Sequence, residues 1–141
     1  MRYLLLLPIL MACQSTPKPV TPPVEVSKDL IQLETNPVKQ GFVLARGDSK
    51  IIVVTTKLLS PDAKKVKINI TSSPGLEVDP PTFVITGNSN ANLTVKVPTT
   101  GTDDKPFFRI SGQALDNNNN PITSNVPEVF FQWDVPKPVM P

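Results

Sequence analysis

The chain has 141 residues, with 14 Lys and Arg against 12 Asp and Glu, 17 prolines, one cysteine and no histidine. A length of this order fits one domain, and a lone cysteine excludes an internal disulfide framework. The net charge of +2, with its lysines scattered along the chain, excludes the electrostatic footprint of a nucleic-acid binder.

The first residues, Met1-Arg2-Tyr3, carry one positive charge, and an apolar run follows from Leu4 to Leu10. A small residue then precedes a cysteine in Leu10-Met11-Ala12-Cys13. This is the order a secretory signal needs: a positive start, an apolar segment and a small residue before the cut. The apolar run is too short to cross a bilayer, which takes about 20 such residues.

Leu10-Met11-Ala12-Cys13 resembles the lipobox of bacterial lipoproteins, with its aliphatic residue three places before the cysteine and its small residue directly before it. The resemblance implies that residues 1–12 are a signal peptide. It also implies that Cys13 receives a diacylglyceryl thioether, and that the amine freed by cleavage takes a fatty acyl group such as palmitate. Membrane lipid, held through Cys13, is then the first partner, and several acyl chains anchor stably where one does not. The expected location is the cell envelope. In a cell with two membranes, Gln14 in place of an aspartate after the cysteine points to the outer membrane or its periplasmic face.

Residues 13–27 form the next unit, the lipidated cysteine and a proline-rich tether. Pro17, Pro19, Pro22 and Pro23 remove backbone donors and favour polyproline II. Fourteen such residues reach roughly 43 Å at about 3.1 Å each, enough to hold a domain clear of lipid headgroups. Val24 and Val26 also admit a second reading, as the start of a first strand.

From residue 28 to 135 the pattern is alternation, not helical periodicity. Short strands are predicted around Ile31 to Leu33 and Phe42 to Ala45, and the β-branched run Ile51 to Thr56 reads as a central strand. Val66, Ile68 and Ile70 alternate with Lys65, Lys67 and Asn69, which gives a half-buried strand with a basic outer face. Leu76 with Val78 makes a short edge piece, and further strands follow at Phe83 to Ile85, Leu93 to Val97, Phe108 to Ala114 and Val129 to Val135. Turn residues separate these runs, as at Ser73-Pro74-Gly75, Gly87-Asn88-Ser89 and Asn117 to Pro121. About seven to nine strands with such punctuation predict an all-β single antiparallel Greek-key β-sandwich, with a small closed barrel as the alternative. Residues 136–141 form a proline-rich tail that stops the last strand.

The stretch Gly75-Leu76-Glu77-Val78-Asp79-Pro80, the strand after it, and Gly87-Asn88-Ser89 leading into Leu93-Thr94-Val95-Lys96-Val97 resemble bacterial immunoglobulin-like and fibronectin-like surface modules. The resemblance spans residues 49–135 and implies an immunoglobulin-like fold, not a function. Antibody-type hallmarks are missing: there is no cysteine pair, no tyrosine for a corner, and Trp133 stands in the last predicted strand.

Chemistry-bearing constellations are few. A serine nucleophile has no histidine to activate it, and no Gly-x-Ser-x-Gly motif occurs. Asp103-Asp104 and Asp116 offer carboxylates in the manner of a glycosidase, but they sit in turn-like segments where Asp is expected anyway. Asp116-Asn117-Asn118-Asn119-Asn120 offers oxygen ligands for calcium but lacks the glycine and glutamate positions of an EF-hand loop, so a polar hairpin loop is the favoured reading. Arg46-Gly47-Asp48 suits a turn better than an integrin motif. Asn69-Ile70-Thr71 and Asn92-Leu93-Thr94 match glycosylation sequons, a common accident in threonine-rich strands. No enzyme, cofactor, metal or small-molecule ligand is therefore indicated.

Strand parity does single out one group. Phe108 follows Ile110 inward and Phe131 follows Trp133, so Phe107, Arg109, Phe130 and Gln132 face away from the core. If the last two strands pair, both outward rings share one sheet face as a candidate partner-binding patch. The predicted function is a membrane-anchored, non-catalytic envelope module with a structural or protein-interaction role, whose partner is another envelope protein or assembly. A glycan-binding module using the same rings is the alternative.

Overall fold

A computed structural model describes residues 29–137. Within them are eight strands and no helix: β1 (Ile31–Asn36), β2 (Ser49–Leu58), β3 (Lys65–Ser72), β4 (Glu77–Asp79), β5 (Thr82–Thr86), β6 (Asn90–Lys96), β7 (Phe107–Leu115) and β8 (Glu128–Gln132). No helix of the described residues is long and apolar enough to cross a membrane. Signal peptide, Cys13 and tether (residues 1–27), and most of the tail, lie outside the described residues.

The strands form two four-stranded antiparallel sheets, ordered β1-β2-β6-β4 and β5-β3-β7-β8. Only β1–β2 and β7–β8 are joined within a sheet; every other connection crosses from one sheet to the other. The chain is thus an immunoglobulin-like β-sandwich with open edges, and the barrel alternative is excluded because the two sheets share no hydrogen-bonded ladder.

Alternation builds the core. Ile52 and Val54 of β2 and Leu93 and Val95 of β6 point inward from the first sheet. Val66 and Ile68 of β3, Phe108 and Ile110 of β7 and Phe131 of β8 meet them from the second. Each such side chain contributes roughly 1.5–3 kcal/mol by leaving water. Thr56 continues the inward row of β2, and its hydroxyl is satisfied by donation to the Gly87 carbonyl at 2.9 Å.

Two expected strands are corrected. Phe42 to Ala45 has strand-like alternation, with Phe42 and Leu44 buried and Val43 exposed, yet it joins no ladder. Its backbone is used otherwise: the Leu44 carbonyl accepts the Trp133 indole N–H at 2.9 Å, and the Ala45 carbonyl accepts the Asp48 N–H. The last strand stops at Gln132 rather than Val135, because Trp133 and Val135 bond irregularly to Pro106 and Asp104. Both remain buried. The rings of Phe42, Phe108, Phe131 and Trp133 form one cluster, with Phe108 and Phe131 stacked at 4.4 Å and Phe42 edge-on to Trp133 at 4.9 Å.

Candidate functional site

β7 and β8 pair antiparallel, with Phe107 opposite Gln132, Arg109 opposite Phe130, and Ser111 opposite Glu128. This register puts Phe107, Arg109, Phe130 and Gln132 on the outer face of the second sheet, opposite in parity to Phe108, Ile110 and Phe131. Phe107 and Phe130 are diagonal neighbours, and their rings stack with centroids 5.7 Å apart and planes inclined by 28°. The Arg109 guanidinium lies 5.4 Å from the Phe130 centroid, within cation–π reach. Phe107 is half-buried, while Phe130 keeps 38% of its surface exposed and Gln132 is exposed.

Glu128 completes this group and was not evident from sequence. Its carboxylate lies 3.6 Å from Arg109 Nε and steadies the guanidinium over the ring. Opposite charges at matching parity were visible along the chain, but only the register makes them neighbours. The patch is an apolar shelf with one cation at its edge, a chemistry suited to contact and not to bond making.

The remaining candidates resolve into structure. Asp116 Oδ1 accepts the backbone N–H groups of Asn118 and Asn120 at 2.8 and 2.9 Å, and the Asn120 bond, seconded by that of Asn118, holds the carboxyl below its ordinary range. Asn119 adopts φ 65° at the turn, where asparagine is tolerated, and its side-chain oxygen accepts Lys65 Nζ at 2.9 Å. Asp116 Oδ1 and the Asn119 side-chain oxygen thus serve amides and an ammonium, and among the described residues no group of three or more acidic, cysteine or histidine side chains is placed to hold a metal ion. Arg46 donates to the Asp103 carbonyl and to Asp104 Oδ1, both at 2.9 Å, while Asp103 accepts the Lys105 N–H. Arg46-Gly47-Asp48 is accordingly a turn braced at its arginine, with Gly47 at φ 85°, and the Asp103-Asp104 carboxylates are occupied in bracing loops.

No known protein family matches the sequence, and no curated protein does. Solved structures do resemble the fold. A Caenorhabditis elegans MSP family member, WR4, is 12% identical with a TM-score of 0.56, over 74% of this chain and 97% of that one. The ASH/PapD-like domain 7 of human CEP192 is 9% identical with a TM-score of 0.51, over 91% of this chain and all of that one. The periplasmic chaperone SfaE is 16% identical with a TM-score of 0.50, and this chain spans only 60% of its length. At such identities the likeness is one of fold alone.

Proposed function

We propose that this protein is a lipid-anchored, non-catalytic module of the bacterial cell envelope that docks another envelope protein through the Phe107–Phe130 shelf. The observation that carries the docking surface is the stacked, half-exposed ring pair beside Arg109 on an outer sheet face, where it contributes nothing to the inter-sheet core. Apolar rings with an arginine are the side chains that dominate protein contacts when a partner covers them. The anchoring part rests on residues 1–13, whose order matches a lipoprotein signal, and on the proline-rich stretch after them.

Two measurements test it. Intact mass after membrane extraction should show a chain beginning at Cys13 and carrying a diacylglyceryl group; an unprocessed or lipid-free chain rejects the anchor. A photo-crosslinker at Gln132 should give one discrete protein adduct on native membranes, and none from Thr94 on the outer face of the other sheet. Identical adducts from both positions, or none from Gln132, reject the docking surface.

A further inference from the structure

The opposite end of the same sheet face holds a second feature, built from different residues. The loop after β7 folds back over the outer face, where Leu115 bridges to Pro121, and leaves a depression of about 650 Å³. Its floor is a grid of three strands. Lys67 of β3 lies between Val84 of β5 and Gln113 of β7, and Lys65 lies between Thr86 and Leu115. With strands about 4.8 Å apart and alternate residues about 7 Å apart, the grid measures roughly 10 by 7 Å.

The lining has a one-sided hydrogen-bonding character. Asn119 Oδ1 is spent on Lys65, so its amide retains its NH₂ group; the Thr82 hydroxyl proton goes to the Ile68 carbonyl at 3.0 Å, and the Asn69 amide meets the same hydroxyl at 3.1 Å. Lys65 keeps two protons beyond its bond to Asn119, and Lys67 keeps three. No carboxylate among the described residues is within ion-pair distance of either ammonium; Asp116 attracts Lys65 from beyond that distance while its own loop amides engage it. Donors thus outnumber free acceptors. Val84, 49% exposed, and Pro121 add apolar surface beside them.

We infer that this depression binds an anionic saccharide unit, a sugar bearing a carboxylate or phosphate, with its oxyanion on Lys65 and Lys67 and its hydroxyl oxygens on the Asn119 and Thr86 side chains. A charged group held by two ammoniums forms the strong, charge-assisted class of hydrogen bond. Sugar oxygens accept what the Asn119 amide and the Thr86 hydroxyl offer, and C–H faces of the ring lie on Val84 and Pro121. A peptide fits less well. β3 and β7 are paired on both sides and the free edge, on β5, lies at the rim of the grid, so the backbone N–H groups of a peptide lying across its floor find few acceptors.

The test is titration of the full chain carrying Cys13→Ser, followed by backbone amide NMR. Trigalacturonate and glucose 6-phosphate represent the two sources of charge, and whichever binds more tightly identifies the source. Saturable shifts should centre on Lys65, Lys67, Gln113 and Asn119. Affinity should fall at least about tenfold in Lys65→Gln/Lys67→Gln, a factor set by losing charge-assisted bonds, with thermal unfolding unchanged. Maltotriose, of neutral charge, should bind at least about tenfold more weakly. The inference is overturned if neither anionic sugar saturates, if maltotriose equals them, if inorganic phosphate alone matches them, or if hexaglutamate binds more tightly. Phe107→Ser/Phe130→Ser should leave this binding intact, which separates the site from the docking shelf.

Discussion

The Trp133 indole N–H donates to the Leu44 carbonyl at 2.9 Å, a buried bond between residues 89 positions apart. It ties the end of the domain to a segment that no ladder holds, and it closes the aromatic cluster around Phe42. Trp133→Phe keeps a ring in place but leaves that carbonyl without a donor. The expected loss is about 1–3 kcal/mol, seen as a fall in Tm of roughly 4–8 °C per kcal/mol for a domain of about 100 residues. An unchanged Tm would show that water replaces the indole.

The paired phenylalanines should separate cleanly by parity. Phe108→Ala and Phe131→Ala each remove a fully buried ring and should cost about 3–5 kcal/mol in chemical denaturation. Phe107→Ser with Phe130→Ser should cost about 1–3 kcal/mol together, because only a half-buried stacked pair is lost. Equal losses in the two sets would place the outer rings in the core.

Gly112 is the close approach between the sheets. A Cβ there would stand 3.0 Å from Val66 Cγ1 and 3.2 Å from Leu33 Cδ1, the latter reaching across from β1. Gly112→Val should therefore overpack the interface by about 1–3 kcal/mol, read from the urea midpoint. A neutral or stabilising result would mean that β1 yields at little cost.

Asp116 predicts an acid-sensitive loop. Its carboxyl is held below the ordinary value of 3.8 by the Asn120 and Asn118 amides. The contribution is fully present above the unfolded pKa and is lost as pH falls through the lower folded pKa. The stability difference between wild type and Asp116→Asn should be flat above about pH 5 and should shrink below 3.8. Urea melts at stepped pH measure it, and a difference that stays constant down to pH 2 would contradict the assignment.

Cys13→Ser removes the sulfur that a lipid would occupy. The variant is expected in the soluble fraction after cell lysis, while wild type sediments with membranes. Continued sedimentation of the variant would move the anchor elsewhere in the chain.

Much of this architecture is legible along the chain. Alternation at Val66, Ile68 and Ile70, or at Leu93, Val95 and Val97, states which side chains turn inward, since a strand's period of two needs no partner to define it. The same parity turns Phe107 and Phe130 outward before any fold is known. Alternation is blind to pairing, however. Phe42 to Ala45 has the pattern of a strand but lies where its carbonyls meet an indole and a turn instead of a ladder. The contact between Phe107 and Phe130, the brace from Glu128 to Arg109, and the meeting of Lys65 with Asn119 all depend on register and on how one loop folds over a sheet. Local periodicity sets the face a residue occupies, whereas its neighbours on that face come from segments far along the chain, and only tertiary packing brings those together.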